Sequence, residues 1–516
     1  MDYCDELLQA IIAGEVASRQ DLLRLKAKLC KKHGLARVPP NYEVLARVSD
    51  EDRELVEPFL RNKPVRTMSG VAPVAVMTSP FDCPHGRCTY CPGGTTNNTP
   101  QSYTGREPAA LRAAMYEYDP FRQTDGRVKQ LHAIGHRTDK VELIVMGGTF
   151  TSRPEEYQDW FVKRCFDALN GKDSPDLESA QTANEVADSR CVGMTVETRP
   201  DWFGEHQVRH SLLLGATKVE LGVQILDDLV LDGVKRGHHV KEVVEATKRA
   251  KDSGLKVAYH MMPGLPGSDP EKDLASFRTM IEDERFRPDM IKIYPTLVVK
   301  GTGLYEDWSA GRYAPMPLEA TVKLLAEVKR LVPPWMRILR IQRDIPIQLI
   351  EAGVKKSHLR ELVLEELRSS GTPCRCIRCR EVGHLPSGKA RPLEGDAELT
   401  TTIYDASDGQ ENFLAFEVRS SDSLIGYARL RSPSVGEAAL LRELHIYGQM
   451  APLDGRSANH WQHKGFGERL LKAAESAASE RGHKELLITS GVGARGYYRR
   501  LGYERKGPYM AKVLRA

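Results

Sequence analysis

The sequence lacks any apolar run close to the roughly 18 residues that a membrane span requires. It also lacks internal repeats, low-complexity segments and the basic start and cleavage site of a secretory signal. No disulfide framework is expected, because ten cysteines in a cytoplasmic chain of 516 residues do not make one. These absences predict a cytoplasmic globular protein of two or three domains.

The net charge of +4 does not by itself indicate a nucleic-acid partner, but the charge is unevenly distributed. Residues 19–37 contain seven Lys or Arg and one acidic residue. They belong to a predicted basic helical segment over residues 1–68. Its basic stretch is either a solvated helix face or a contact surface for a polyanion.

Strand-like apolar runs alternate with helix-like stretches through residues 69–330, which predicts parallel β/α units. The runs are residues 71–79, 140–148, 191–199, 218–224, 256–264 and 290–299. Six units suit a partial (β/α)6 barrel better than a closed barrel of eight. In such α/β folds the active site lies at the C-terminal ends of the strands.

The remaining chain divides into two predicted parts. Helices dominate residues 331–395, which we interpret as a linker that carries a cysteine-rich loop. Residues 396–516 show successive strands, then a helix, a strand and a short helix. This order predicts an α+β domain.

The first cysteine cluster has the spacing C-x4-C-x2-C and follows the first predicted strand. Its members are Cys83, Cys88 and Cys91. A [4Fe–4S] cluster, a zinc ion with His85 as fourth ligand, and no metal at all are each compatible with the spacing.

The position of this loop favours the iron–sulfur cluster. The second predicted strand ends in Gly147-Gly148, where the absence of side chains exposes backbone carbonyls to a ligand's amino group. This arrangement resembles the radical S-adenosylmethionine (SAM) superfamily, although the usual spacing there is C-x3-C-x2-C. The resemblance implies that three cysteines hold a cluster whose open iron binds SAM, with Gly93-Gly94 in the SAM pocket.

The second cysteine cluster has the spacing C-x-C-x2-C and lies between the predicted domains. Cys374, Cys376 and Cys379 supply three thiolates, one ligand short of a closed zinc site. His358 and His384 are both candidates for the fourth ligand. We interpret the cluster as a structural Zn²⁺ site.

A glycine loop opens the long helix of the last domain. The loop is QHKGFG, residues 462–467, and its glycines let backbone N–H groups approach an anion at the helix N-terminus. With the tyrosine-bearing helix that follows, it resembles the GCN5-related N-acetyltransferases (GNAT). That resemblance implies acetyl-CoA binding and makes Tyr497 or Tyr498 the candidate proton donor; aromatic core packing is the alternative.

The fusion of these two domains resembles the Elongator catalytic subunit family of tRNA uridine acetyltransferases, in an archaeal or bacterial form. The most specific stretches are CPGG (91–94), QSYTGREP (101–108), YDPFRQT (118–124), DKVELIVMGGTF (139–150), TVETRPD (195–201), HMMPGLPG (260–267), RELHIYG (442–448), QHKGFG (462–467) and YYRRLGYERKGPYM (497–510). The resemblance implies a set of acetyl-CoA contacts. They are Lys140, Glu443, Leu444, His445, Ile446, Gly465, Phe466, Gly467, Glu468 and Tyr498.

The resemblance also implies the reaction. A SAM-derived 5′-deoxyadenosyl radical activates the acetyl methyl group, which adds to C5 of the wobble uridine in a tRNA anticodon stem-loop. Thioester hydrolysis then leaves 5-carboxymethyluridine. An electron donor is needed, a homodimer is compatible, and the other Elongator subunits are not required. The basic N-terminal segment would then bind tRNA.

Two rival functions remain open at the level of sequence. The chain could acetylate protein lysines, with Glu443 as general base and a purely structural iron–sulfur cluster. It could also be a non-enzymatic tRNA-binding scaffold.

Overall fold

The computed structural model describes residues 1–49, 51–384, 396–448 and 465–514. The N-terminal segment is helical, as predicted, and consists of α1 (Tyr3–Ile12), α2 (Arg19–Lys32), α3 (Asn41–Leu45) and α4 (Arg53–Leu60). Asp2 and Ser18 cap the first two helices by accepting hydrogen bonds from backbone N–H groups of the first turn. The apolar faces of the four helices pack on one another in a core of their own.

The central domain is a curled sheet of seven parallel strands, flanked by helices. Its strands, in spatial order, are β1 (Ala72–Met77), β2 (Lys140–Met146), β3 (Arg190–Thr198), β4 (Lys218–Gln224), β5 (Lys256–Met261), β6 (Met290–Ile293) and β8 (Arg337–Ile341). A short antiparallel pair, β7 (Val298–Val299) and β9 (Ile350–Ala352), lies beside it. The strands are short and mostly buried, as expected for parallel strands covered by helices.

Eleven helices and one short turn of helix accompany these strands. They are α5 (Pro108–Met115), α6 (Pro120–Ala133), α7 (Glu155–Asn170), α8 (Leu177–Asn184), α9 (Glu205–Leu214), α10 (Asp228–Gly233), α11 (Val240–Asp252), α12 (Pro270–Glu282), α13 (Gly303–Ser309), α14 (Leu318–Leu331), α15 (Leu359–Ser369) and α16 (Ile377–Arg380). Within the described ranges, no helix is both long enough and apolar enough to cross a membrane.

The seventh strand corrects the prediction of six strands followed by a helical linker. The segment RILRI, residues 337–341, pairs with β6 in parallel, with Met290 opposite Arg337. Its two arginines and the preceding Pro333-Pro334 hide the strand pattern in the sequence. The half-barrel is therefore wider by one strand than the sequence indicates.

In the described residues, the C-terminal domain is a second seven-stranded sheet with one long helix. Its elements are β10 (Glu398–Ala406), β11 (Gly409–Val418), β12 (Ser423–Ser432), β13 (Ala438–Ile446), α17 (Phe466–Glu480), β14 (Glu485–Ile488), α18 (Arg495–Arg500), β15 (Glu504–Lys506) and β16 (Tyr509–Val513). The predicted strand and helix order is present. The final hairpin of β15 and β16, which completes the sheet edge, was not predicted.

A dense polar interface joins the two sheets. Arg442 donates two hydrogen bonds to Asp289, at 2.7 and 2.6 Å, and a third to Glu411 at 2.8 Å. Arg429 donates to the Trp335 carbonyl at 2.7 Å. All these charged side chains are buried, so their pairing is needed to offset the cost of removing them from water.

Candidate functional site

One large cavity of about 1340 Å³ opens where the half-barrel meets the C-terminal domain. From the central domain it is lined by Cys83, Cys88, Cys91 and Gly148. From the C-terminal domain it is lined by residues 442–447 and by Tyr498. The two groups of candidate residues, which lie nearly 300 or more positions apart in the sequence, therefore share one cavity.

The first cysteine cluster lies on the loop that follows β1, at the C-terminal edge of the parallel sheet. The backbone N–H of Ser102 donates to the Cys91 sulfur at 3.2 Å, and the buried Arg236 guanidinium lies 3.7 Å from the Cys88 sulfur. Burial raises the pKa of Cys83 and of Cys91. Arg236 and the N–H of Ser102 are donors that would stabilise these sulfurs as thiolates.

The two cysteine clusters differ in how tightly their sulfurs are grouped. The sulfurs of Cys374, Cys376 and Cys379 lie within 4.8 Å of one another. Among the described residues, those of Cys83, Cys88 and Cys91 do not form such a tight group. Three thiolates on one tetrahedral zinc lie about 3.8 Å apart, given Zn–S bonds near 2.3 Å. A cluster in which each cysteine binds a separate iron needs the wider spacing.

Four glycines shape the space next to the first cysteine cluster. Gly147 has φ +131°, and a Cβ atom there would lie 2.1 Å from Oγ1 of Thr78. Gly148 has φ +92°. A Cβ on Gly93 would lie 2.3 Å from the Pro100 carbonyl, and Gly94 has φ +135°. Contacts with the protein itself thus exclude side chains at Gly147 and Gly93, and Gly148 is the one of the four that lines the cavity in the described chain.

A row of charged side chains on neighbouring strands, which the sequence analysis missed, forms the inner wall of the half-barrel. Glu220 accepts a hydrogen bond from His260 at 2.8 Å and pairs with Lys292. Tyr103, just after the cysteine loop, donates to Glu197 at 2.8 Å. Charged residues inside otherwise apolar strands, as in KVELGVQ and MIKI, were the signal that could have revealed this wall.

The acetyl-CoA candidates of β13 lie where that strand separates from β14. The two strands pair in parallel only from Ala438 to Leu441, while β12 continues to pair with residues 443–446 on the other side. In the described residues, β14 therefore does not pair with residues 443–446. An extended ligand with amide groups can bind along a strand at such a divergence by strand-like hydrogen bonding.

Glu443 is held as a carboxylate. Its carboxylate accepts a hydrogen bond from Nε of Arg429 at 2.9 Å, and Nζ of Lys256 lies 3.9 Å away. Burial alone would raise the pKa of Glu443, but Lys256 and Arg429 outweigh burial and lower it. A carboxylate that is paired in this way is a weak proton acceptor for lysine acetylation.

The adjacent tyrosines of α18 face different surroundings. Tyr498 is buried and lines the cavity. Tyr497 is not among the described residues that line it; its hydroxyl packs near Gly467, 3.2 Å from where a Cβ would lie. Burial raises the pKa of Tyr497 to about 12, and burial also raises the pKa of Tyr498. Both hydroxyls keep their proton at neutral pH.

The remaining acetyl-CoA candidates fall at two places. Lys140, at the start of β2, lines the shared cavity, and burial lowers its pKa. Gly465 caps α17 with φ +77°, and Phe466 packs against Phe416 with ring centroids 4.8 Å apart. Gly467 and Glu468 complete the first turn. Residues 462–464 of the predicted glycine loop lie outside the described residues.

At the second cysteine cluster, Nζ of Lys329 lies 3.6 Å from the Cys379 sulfur. His358 is exposed and is not part of the tight group of sulfurs in the described chain. The His384 side chain lies outside the described residues.

The fold and the cavity together define a radical SAM enzyme joined to a GNAT acyltransferase domain. Family profiles agree with this class: "Radical SAM superfamily" matches residues 78–278 and "Radical_SAM C-terminal domain" matches 288–369. "Acetyltransferase (GNAT) domain" matches residues 397–512, and "ELP3 N-terminal domain" matches 1–68. A radical SAM domain implies a [4Fe–4S] cluster and SAM, and a GNAT domain implies acetyl-CoA.

The chain belongs to the family of Elongator complex protein 3 and the archaeal tRNA uridine(34) acetyltransferases. It is 48% identical to the tRNA uridine(34) acetyltransferase of Methanocaldococcus jannaschii, over 99% of this chain and 97% of that protein. It is 44% identical to human Elongator complex protein 3, over 99% and 96% of the two chains. The solved structure of Methanocaldococcus infernus Elp3 with an N-terminal deletion (1–46) superposes with a TM-score of 0.77 at 46% identity. The match covers 87% of this chain and all of that one.

Proposed function

We propose that this protein transfers the acetyl carbon skeleton of acetyl-CoA to C5 of the wobble uridine of tRNA, leaving a carboxymethyl group after thioester hydrolysis. The observation that supports this reaction is the shared cavity, which is lined by the cysteine loop, by β13 and by Tyr498. Separate pockets would suit two independent activities. One pocket suits a reaction in which the acetyl group itself is the target of the radical.

Cys83, Cys88 and Cys91 hold a [4Fe–4S] cluster in this proposal, and Gly93, Gly94, Gly147 and Gly148 leave room for SAM. When bound, these groups supply the one-electron chemistry that takes a hydrogen atom from the acetyl methyl group. The protein's own residues bind the reactants and keep water away. A separate electron donor serves the cluster, and the chain works without other Elongator subunits, alone or as a homodimer.

Tyr498 is the proton donor of the proposed reaction. Its hydroxyl is buried and protonated, and it lies on the C-terminal side of the shared cavity. It would hold the thioester through its O–H group and give that proton to the departing CoA sulfur. In this proposal Glu443 stays a carboxylate, hydrogen-bonded to Arg429, and does not act as a general base.

We further propose that Cys374, Cys376 and Cys379 bind Zn²⁺, with His384 as the fourth ligand. The close grouping of the three sulfurs supports a single ion. Metal analysis of purified protein tests this proposal: about one zinc per chain is expected. We expect loss of zinc in His384→Ala and retention in His358→Ala. Zinc retained in both variants would overturn the assignment of His384.

The main proposal is tested by anaerobic reconstitution. Reduced protein is incubated with tRNA, SAM and acetyl-CoA, and the nucleosides are analysed by mass spectrometry. We expect 5-carboxymethyluridine from the unaltered protein and from the control Cys30→Ala, a lone cysteine of the N-terminal helices. Cys88→Ala should abolish both SAM cleavage and the modified nucleoside. Acetylation of a protein lysine in the absence of modified tRNA would contradict the proposal.

A further inference from the structure

Three arginines of the shared cavity come from elements that pack against the edge strand β1. Arg66 lies in the single-turn helix Pro64–Thr67, Arg112 in α5 and Arg127 in α6. All three line the cavity. The positive charge of Arg66 acts on Arg112, and the charges of Arg112 and Arg66 act on Arg127. We call these residues the arginine triad.

The triad has no counter-charge in the part of the chain that the structure describes. Arg112 donates to the Ala75 carbonyl at 3.0 Å, and Arg127 donates to the Gln130 side chain at 2.7 Å. Nε of Arg112 is buried without a hydrogen-bond partner among the described residues. Burial and the neighbouring arginines lower the pKa of Arg127 to about 10. The charge of Arg127 is thus destabilised both by burial and by the two neighbouring cations.

Some of the other arginines that line the cavity are paired with carboxylates. Arg337 pairs with Glu381 at 2.5 Å, and Arg340 pairs with Asp344 at 2.7 Å. Arg127 itself is 9% exposed, so bulk solvent does not compensate its charge. A buried cationic group without a carboxylate is stabilised when an anion binds, and guanidinium groups match phosphate oxygens with paired hydrogen bonds.

We propose that the arginine triad binds a backbone phosphate of the RNA strand that carries the target uridine. The inference rests on the proposed function and deepens it. Arg112 contacts Ala75, two residues before β1 ends at Met77, which places its guanidinium about 7 Å along the strand from the start of the loop that carries the cysteines. A phosphate bound here would anchor the strand beside the reaction centre.

CoA also carries phosphates, and one of its expected contacts, Lys140, lines the same cavity. The other expected phosphate partners are the N–H groups at the start of α17, and residues 465–468 are not among the described residues that line the cavity. Exposed apolar side chains adjoin the triad instead: Met115 is 71% and Leu111 is 45% exposed, and both line the cavity. They offer a surface for a ribose or an unstacked base, as single-stranded RNA requires.

The test compares two variants with the same change in net charge. The triad variant carries Arg66→Gln, Arg112→Gln and Arg127→Gln. The control variant carries Arg209→Gln, Arg278→Gln and Lys323→Gln, three exposed cations that line neither described cavity. Binding of tRNA is measured across a series of salt concentrations, and binding of CoA is measured in parallel.

We expect the triad variant to bind tRNA about tenfold more weakly near physiological salt. The salt slope, which is the slope of the logarithm of the tRNA association constant against the logarithm of the salt concentration, should become shallower. The expected decrease is about 0.7 for each phosphate that is no longer neutralised. CoA affinity should change less than about twofold. The control should keep the slope of the unaltered protein. The proposal is overturned if the triad and control variants have equal slopes, or if CoA affinity falls instead.

Two further measurements keep the outcome decisive. Thermal melting shows whether the triple variant is folded. If it is not, Arg66→Gln alone, which changes a half-buried side chain, should still show part of the loss of tRNA affinity. Formation of 5-carboxymethyluridine by the unaltered protein is measured in the same preparation. If that nucleoside is absent, the proposed function fails; if it forms and the triad variant binds tRNA normally, only the triad assignment fails.

Discussion

Adjacent residues on a helix point about 100° apart, so Tyr497 and Tyr498 cannot both face the thioester. Tyr498 lines the cavity and Tyr497 packs near the start of α17. The sequence left the choice between them open, because both have the right chemistry at the right place. The orientation of α18 on the sheet decides that Tyr498 is the candidate proton donor and that Tyr497 is a packing residue.

We predict that Tyr498→Phe lowers the rate of acetyl-CoA hydrolysis that accompanies tRNA modification by about 10²-fold or more, because a positioned proton donor contributes about that much. Tyr497→Phe should leave the rate within about twofold. Both variants keep the aromatic ring, so packing is preserved. Equal losses in the two variants would contradict the assignment.

At the scale of single elements, α2 has one buried face and one exposed basic face. Lys26 is buried and donates to Asn41, so one of the seven basic residues that suggested a polyanion surface belongs to the core. Arg24, Lys28 and Lys31 are exposed and spaced i, i+4, i+7, which places them on one face. Spacing in the sequence identified the basic helix, and burial decides which of its charges can meet tRNA.

We predict that changing Arg24, Lys28 and Lys31 together to Gln weakens tRNA binding and reduces the salt slope by about 0.7 to 0.9 for each phosphate that these cations neutralise. Thermal stability should be unchanged, because these side chains are exposed. Lys26→Gln should instead lower the unfolding temperature and leave the salt slope intact. An unchanged slope in the triple variant would reject a tRNA role for α2.

The elements themselves were largely predictable. Strand–helix alternation is a local signal, and it revealed six of the seven strands of the half-barrel. The seventh, Arg337–Ile341, was missed because its arginines interrupt an apolar run of five residues. The arginine triad was beyond sequence reasoning altogether, since its members come from three elements and meet only when α5 and α6 pack beside β1.

The interface between the two sheets could not be predicted from the sequence either. Arg429, Arg431 and Arg442 alternate with apolar residues on neighbouring strands, a pattern that indicates a solvated sheet face. They are fully buried against the half-barrel instead. An amphipathic strand pattern distinguishes two faces of a sheet, but it does not show whether the polar face meets water or another domain.

At the scale of the whole molecule, the two sheets touch closely enough to fix their relative position. A Cβ on Gly491 would lie 2.2 Å from the carbonyl of Val192 on β3. We predict that Gly491→Ala lowers the unfolding temperature and the yield of modified nucleoside, because the backbones must separate. Gly496→Ala, with no heavy atom within 4 Å in the described chain, is the control. It should be neutral or stabilising by up to about 1 kcal/mol.

The buried charged network around Asp289 predicts that the stability of the fold depends on pH. Burial alone would raise the pKa of Asp289, but Arg442, Lys251 and Arg429 outweigh burial and hold its pKa well below the ordinary value. A carboxyl with a lowered folded-state pKa stabilises the fold above its unfolded pKa near 3.9, and this stability is lost as the pH falls.

Asp289→Asn should therefore destabilise the protein at pH 7 by about 3 to 5 kcal/mol, because buried cations lose a partner. Its unfolding temperature should fall less steeply than that of the unaltered protein between pH 5 and the lowest pH at which both remain folded. Thermal melts at a series of pH values measure both effects. Parallel curves for the two proteins would show that Asp289 is not the titrating group.

Asp289 and Arg442 are separated by 153 positions in the chain. At synthesis rates of about 5 to 20 residues per second, the carboxylate emerges from the ribosome roughly 8 to 30 s before its cation. During that interval Asp289 has Lys251 beside it but lacks Arg429 and Arg442, which have not yet been made. The charged network at the base of the central sheet is therefore completed only by the last domain to be synthesised.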